Sequence, residues 1–264
     1  MYLISGNSIV WEKELDGDIS RVSVNKNGYV SVILTGTTYK SIIQTFDSSG
    51  NQMFKTYLSN NTVDSDISND NKYLSFAEIS TNGTMVQTMI KTISMQTAKE
   101  NPSEAKITTV ASISDACALN LKYQDGNRLV CMYDNSVHIT ENGKDEELFS
   151  ISEDSQKITF ADTELTNYAY RVLEKSVLLN TQSTVEIVNV SSKKANIYTI
   201  DSVVKEVYAY DDTIALNLGS EVHFIGTNGW LTKKYISSQE IRKIVIASNI
   251  AGIVYRDKIE IVEF

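Results

Sequence analysis

The sequence predicts an all-β fold, a β-propeller of about six four-stranded blades or a truncated seven-bladed one. β-branched residues fill short alternating runs while proline occurs only once, at Pro102, and such runs favour strands over helices. Residues 203–237 contain four such runs, and a similar unit recurs roughly every 40 to 50 residues along the chain. A repeated four-stranded unit is typical of propeller blades, whereas the alternative of two β-sandwiches does not predict a repeat.

The unit over residues 203–237 shows the pattern most clearly. Residues 203–209 alternate toward an apolar face, and Asp211 begins a turn before the apolar run that ends at Leu218. Ser220 opens the third run. Asn228 with the glycine after it predicts a hairpin, because Asn and Gly tolerate the positive φ of tight turns. The unit ends with a fourth run over residues 230–236.

The remaining units repeat these four strands. The longest connection covers residues 96–105, and residues 174–184 form either an extended or a looped segment. Residues 9–15 are expected to supply the strand that the last unit lacks, so that pairing of the chain ends closes one propeller domain. Residues 1–5 then compete with residues 258–262 for one position, which means either a displaced strand or a larger parent propeller. The predicted blades span residues 19–58, 63–110, 116–151, 156–201, 203–237 and 240–264.

Charge and hydropathy exclude two classes of partner. The formal charge of −9 and the pI near 4.8 argue against nucleic acid, whose affinity for proteins depends on clustered Lys and Arg. The most apolar stretch, residues 244–255, is broken by polar residues and Gly252, so we expect no membrane segment in this chain. No phosphate-binding glycine loop or Cys-x-x-Cys pair occurs, and no cofactor is expected.

The two cysteines are predicted to be free buried thiols. Cys117 and Cys131 fall on neighbouring strands that a turn at residues 125–126 joins. That turn places Cys117 opposite Asp134 and Cys131 opposite Asn120, so the thiols are too far apart for ordinary disulfide geometry.

Three segments resemble known bacterial propellers. Residues 66–77 (DISNDNKYLSFA) resemble the repeat motif of TolB-like and WD-like propellers, and residues 46–51 with residues 9–15 resemble quinoprotein-type propellers. Nearly the whole chain is similar to the propeller of membrane-anchored Gram-positive proteins of unassigned function. The resemblance implies an upstream anchor helix and a position on the extracellular face of a bacterial membrane; the alternative is a cytoplasmic protein.

Histidine and tryptophan give no sign of a catalytic site. His138 and His223 occupy the same place in the third strands of two different units, so they are predicted to be structural rather than metal ligands. Trp11 and Trp230 enter fourth strands, where packing between blades explains them better than ligand stacking.

One pattern does suggest a site, because each connection from a fourth strand to the next first strand carries a carboxylate. In a propeller these connections share one face, so the pattern predicts an acidic ring around one channel mouth that could bind a divalent cation or a basic partner. The alternative is a solvated acidic surface. The residues of this predicted face are Asp16, Asp18, Asp64, Asp66, Asp115, Asp154 and Asp201.

A regular propeller without a catalytic constellation favours a non-enzymatic binding or scaffold module, acting through protein–protein interaction at the bacterial cell surface. The alternative is a propeller hydrolase or lyase that uses Asp or Glu as acid and base in the channel.

Overall fold

The computed structural model of the protein consists mainly of short antiparallel strands. The structure describes residues 1–82, 84–100, 105–124, 128–150, 157–162, 165, 167–177, 180–247 and 249–264. These residues fall into two compact units, Met1–Phe149 and Ser150–Phe264.

The first unit contains one hairpin and three four-stranded sheets whose strands follow the chain order. The hairpin consists of β1 (Tyr2–Ser5) and β2 (Ser8–Glu12). Sheet 1 contains β3 (Asp18–Val24), β4 (Val30–Thr35), β5 (Ser41–Phe46) and β6 (Gln52–Leu58). Sheet 2 contains β7 (Asn61–Ile67), β8 (Tyr73–Asn82), β9 (Met85–Ser94) and β10 (Thr108–Ser114), with helix α1 (Met95–Glu100) after β9. Sheet 3 contains β11 (Ala118–Gln124), β12 (Arg128–Tyr133), β13 (Ser136–Glu141) and β14 (Lys144–Ser150).

The second unit contains two four-stranded sheets and one of three strands. Sheet 4 contains β15 (Lys157–Asp162), β16 (Tyr168–Val177), β17 (Asn180–Asn189) and β18 (Ala195–Ile200). Sheet 5 contains β19 (Glu206–Tyr210), β20 (Thr213–Asn217), β21 (Glu221–Gly226) and β22 (Leu231–Ile236). Sheet 6 contains β23 (Lys243–Ile246), β24 (Ile250–Val254) and β25 (Ile259–Glu263).

Within each unit the core lies between successive sheets, because their second and third strands are apolar on both faces. Ile33 and Ile43 of sheet 1 share a buried cluster with Leu74 and Phe76 of sheet 2. Similar clusters join sheet 2 to sheet 3, sheet 4 to sheet 5, and sheet 5 to sheet 6. Sheets with two buried faces give continuous apolar runs, which explains why the middle strands show the weakest alternation.

The six sheets of like strand order confirm the predicted all-β, β-propeller fold. The hairpin β1–β2 pairs within itself, from Tyr2 opposite Glu12 to Ser5 opposite Ser8, and β25 has β24 as its ladder partner. Closure through residues 9–15, the number of blades in the parent and the single-domain assignment therefore stay predictions.

One local prediction was left open and another is wrong. Of the two alternatives for residues 174–184, the described residues follow the extended one, because β16 and β17 continue as a long hairpin up to the pair of Val177 with Asn180. The loop predicted over residues 96–105 is wrong at its start. The connection after β9 begins with α1, whose Met95 and Ala98 are buried in the cluster between sheets 1 and 2. In this connection, apolar side chains with a packing partner organise residues that local composition assigned to a loop.

The cysteine register is correct at one residue and wrong at the other. Cys117 lies opposite Asp134, whose backbone N–H donates to the Cys117 carbonyl at 2.9 Å. Cys131 pairs with Leu121 rather than Asn120, because a bulge shifts the register after Ala118. The predicted turn at residues 125–126 lies outside the described residues. Both cysteines are free, as predicted, but only Cys131 is buried, whereas Cys117 is half-buried.

Candidate functional site

The acidic face predicted from the sequence divides into exposed loop carboxylates and buried strand carboxylates. Asp16 and Asp18 are exposed and line one surface cavity of about 330 Å³ together with Thr35. Gly17 between them has a φ of +147°, and a Cβ there would lie 2.8 Å from the Thr35 carbonyl oxygen. Only glycine fits this close approach of two backbones, which fixes the chain between Asp16 and Asp18, the first residue of β3.

Three further residues of that face follow other elements. Asp115 is exposed between β10 and β11 with a φ of +57°, and its N–H donates to the Val86 carbonyl at 2.8 Å. Asp201 is exposed after β18, where its Oδ1 accepts from Gln182 Nε2 at 3.0 Å. Asp154 lies outside the described residues. The ring itself therefore stays a prediction.

Asp64 and Asp66 occupy a different place from the one predicted, because they lie within β7 and not in the loop before it. Both residues are almost fully buried, at 4% and 1% exposure. Two carboxylates at alternate positions of a strand face the same side. Here that side joins three first strands of successive sheets, β3, β7 and β11, through hydrogen bonds that we call the carboxylate clasp.

Asp64 bonds to both neighbouring strands of the clasp. Its Oδ1 accepts from Arg21 Nε of β3 at 3.0 Å, and its Oδ2 accepts from the Leu121 backbone N–H of β11 at 3.0 Å. Burial raises the pKa of Asp64, while the Arg21 guanidinium and the Leu121 N–H act in the opposite direction. Desolvation thus exceeds the attraction of the partly exposed arginine.

Asp66 repeats this arrangement two residues further along β7. Its Oδ1 accepts from the Ser23 hydroxyl of β3 at 2.5 Å, and its Oδ2 accepts from the Tyr123 backbone N–H of β11 at 2.8 Å. Lys122 Nζ lies 3.5 Å from the same Oδ1. Because both oxygens of each carboxylate are engaged by donors of the protein, the clasp is built to hold strands together. A free general base would instead expose an oxygen to substrate.

The two histidines are buried, and His138 is hydrogen-bonded within its own sheet. His138 Nδ1 lies 2.7 Å from Asp145 Oδ2, and its ring meets Tyr133 edge to face. Such a pairing explains a buried histidine without a ligand.

His223 joins two sheets, since its Nδ1 lies 2.8 Å from Tyr198 Oη of β18 and its Nε2 is hydrogen-bonded to Glu221. In the tautomer with its proton on Nε2, the ring donates a hydrogen bond to Glu221 and accepts one from the Tyr198 hydroxyl at Nδ1. Burial and the Glu221 charge raise the pKa of Tyr198, which makes the phenol a poor nucleophile. These hydrogen bonds connect sheet 4 to sheet 5.

The tryptophans have opposite surroundings. Trp11 is buried against Phe46 with ring centroids 5.7 Å apart, as packing predicted. Trp230 is 76% exposed, so the packing prediction is wrong for it. The hairpin that carries Trp230 contacts β18 through the hairpin backbone, because Asn196 Nδ2 donates a hydrogen bond to the Thr227 carbonyl at 2.9 Å. This contact involves the backbone of the turn, and the indole side chain stays in solvent.

Exposed apolar side chains accompany Trp230. A Cβ added at Gly229 would lie 3.2 Å from the Ile197 carbonyl, so the turn before Trp230 lies directly against β18. Ile197 is 60% exposed, and Leu231 is exposed as well. We call Ile197, Trp230 and Leu231 the indole surface. The sequence signal for it was available, because Trp230 follows a Gly of positive φ at the tip of a hairpin, where side chains often face solvent.

Metal and membrane features are not seen in the part of the chain that the structure describes. Within it, no three His, Cys, Asp or Glu side chains are grouped closely enough to hold a metal ion. Likewise, no helix among the described residues is both long and apolar enough to span a bilayer.

The repeated sheets, their shared strand order and the buried contacts between neighbours define a β-propeller. The chain belongs to the Family of unknown function (DUF5711), whose sequence model matches residues 1–264. No curated protein matches the sequence.

Several solved propeller structures are similar in fold. Hsv2p of Kluyveromyces lactis is 13% identical with a TM-score of 0.60, over 94% of this chain and 75% of that one. An oligogalacturonate lyase in complex with manganese is 8% identical with a TM-score of 0.60, over 87% of this chain and 66% of the lyase. AztD from Citrobacter koseri is 11% identical with a TM-score of 0.50, over 80% of this chain and 58% of AztD. At such low identity these likenesses establish the fold alone.

Proposed function

We propose that this propeller is a non-enzymatic binding module that holds a protein partner at the extracellular face of a bacterial membrane. The observation that carries the proposal is the indole surface. Interface energy concentrates in a few large aromatic anchors, with tryptophan prominent among them. A tryptophan at 76% exposure beside Ile197 at 60% leaves apolar area in water that binding a partner would remove.

Charge suggests the chemistry of the partner. Lys193 and Lys194 lie in the turn just before β18, whereas the whole chain carries a net charge of −9. Two lysines just before the strand that carries Ile197 favour a partner that places an apolar residue among carboxylates, since rim charges steer association and select partners.

The rival hypothesis is a hydrolase or lyase that uses channel carboxylates. The clasp argues against it, because Asp64 and Asp66 are buried and their oxygens already accept hydrogen bonds. Turnover by the purified protein in a broad glycosidase and lactonase screen, lost on changing exposed carboxylates such as Asp16, would favour the enzyme.

A pull-down from the envelope of the producing cell tests the binding proposal. We expect the wild-type chain and Met85→Ala, which alters an exposed apolar residue of β9, to retain the same protein. Trp230→Ala should lose it without a change in melting temperature. Equal retention by Trp230→Ala and wild type would refute the role of this surface.

A further inference from the structure

A cavity of about 320 Å³ lies between sheets 2 and 3 of the first unit. Its lining combines aromatic, aliphatic, hydroxyl and amide groups, chiefly from Tyr73, Thr92, Tyr123, Leu129, Thr140 and Asn142. None of the described lining residues carries a formal charge. The volume falls at the low end of the range of about 300–1,000 Å³ that small-molecule sites occupy.

A fixed cluster of hydroxyl groups lies on the buried side of this cavity. Ser75 Oγ lies 2.7 Å from Tyr123 Oη and 2.5 Å from Thr92 Oγ1, which joins three hydroxyls across β8, β9 and β11. Burial raises the pKa of Tyr123 to about 12, so the phenol stays neutral at physiological pH. Each hydroxyl can donate and accept, and the cluster therefore presents uncharged hydrogen-bonding groups in a set position.

The open side of the cavity is set by a tight turn and an aromatic ring. Asn142 and Gly143 have φ values of +52° and +75°, the two positive values of a type I′ hairpin turn. This turn holds the Asn142 amide beside the cavity. The Thr140 hydroxyl donates a hydrogen bond to Asp145 Oδ1 at 2.9 Å. Its oxygen can therefore accept a hydrogen bond from a ligand but has no second proton to donate. Tyr73 is 39% exposed, which leaves part of its ring accessible.

We propose that this cavity binds a neutral saccharide. A sugar ring has apolar C–H faces that pack on tyrosine, and its hydroxyls both donate to and accept from Thr, Tyr and Asn groups. An anionic sugar or a phosphate would require a cation, which the described lining lacks. Desolvating an unpaired charge in such a site is costly. The site lies in a different unit from the indole surface and does not depend on the proposed function.

A glycan microarray, followed by calorimetry with the best neutral trisaccharide, tests the proposal. We expect binding to neutral glycans, with the matching uronic acid trisaccharide at least tenfold weaker. Tyr73→Ala should weaken the neutral glycan at least tenfold, and Thr140→Val should weaken it less. Trp230→Ala, which removes an exposed aromatic far along the sequence, serves as the matched control and should bind as wild type.

Other outcomes would overturn the proposal. They are the absence of binding to any neutral glycan at millimolar concentration, equal or tighter binding of the uronic acid, and unchanged affinity in Tyr73→Ala. A preference for peptides over glycans in a parallel peptide array would also reject it. Melting temperatures of each variant show whether a loss reflects the site or the fold.

Discussion

Removing the Asp66 carboxylate should destabilise the propeller far more than removing an exposed carboxylate. Asp66→Ala takes the acceptor from the Ser23 hydroxyl and from the Tyr123 backbone N–H, and it leaves Lys122 without this carboxylate. Tyr123 is itself buried. A buried donor that loses its partner costs more than the net value of the bond, because water does not replace the acceptor.

The magnitude follows from these contacts. Loss of an acceptor in a buried, charge-assisted network costs roughly 3–5 kcal/mol. For a protein of 264 residues, the entropy of unfolding is on the order of 0.5 kcal/mol/K, so the melting temperature should fall by about 6–10 °C. Asp66→Asn should cost about 1 kcal/mol, since its amide oxygen can accept from Tyr123 and its NH₂ group can donate to the Ser23 oxygen.

Urea unfolding followed by circular dichroism measures these differences. Asp16→Ala is the matched control, because Asp16 is an exposed aspartate of the same unit. A double-mutant cycle with Ser23→Ala should show a coupling energy of about 1 kcal/mol or more between the two side chains. If Asp66→Ala and Asp16→Ala differ by less than about 0.5 kcal/mol, the clasp does not stabilise the fold and the reasoning fails.

Three further predictions concern a glycine, a pH dependence and a metal. Gly50→Ala should unfold the protein at a lower urea concentration than Gly6→Ala. Both glycines have positive φ, but a Cβ at Gly50 would lie 2.8 Å from the buried indole ring of Trp11, whereas a Cβ at Gly6 has no neighbouring atom within 4 Å. Because burial raises the folded-state pKa of Asp64, its contribution to stability should fall as pH rises through the interval above its unfolded value. Asp64→Asn should flatten that slope in urea titrations from pH 4 to 8, and an unchanged slope would contradict the shift. If the acidic loops bind calcium, the melting temperature should be higher in millimolar calcium than in chelator, and Asp16→Asn combined with Asp201→Asn should reduce the rise. Equal melting temperatures in calcium and chelator would show that these loop carboxylates are only a solvated surface.

The fold was accessible from the sequence because strands and turns are local signals. Alternation and β-branched content marked the middle strands, and turn residues marked the hairpins. The pair Asn142 and Gly143 illustrates this, since both adopt the positive φ that their chemistry favours. Asp211, predicted to begin a turn, has a φ of +53°. A repeat adds weight, because the same local pattern must be satisfied several times.

The site was less accessible, because its contacts join residues far apart in the chain. Asp64 and Leu121 are 57 positions apart, and Arg21 and Asp64 are 43 apart. Composition assigned both aspartates to an acidic surface, since most carboxylates are exposed. Their alternate positions on one strand could have indicated a shared buried partner, but the partner itself depends on how three sheets pack.

Sheet-to-sheet hydrogen bonds show how such contacts are encoded in a repeat. Tyr198 of β18 meets His223 of β21, and Tyr235 of β22 meets Glu260 of β25. Both pairs are separated by 25 positions, so sheets 4 and 5 each place a tyrosine of the fourth strand against a polar residue on the third strand of the next sheet. The acceptor changes from histidine to glutamate while the geometry persists. Selection for the packing of neighbouring sheets can therefore preserve the spacing of a pair when its chemistry varies. Comparing intervals between polar residues in successive repeats is thus a better guide to buried contacts in this fold than comparing residue types.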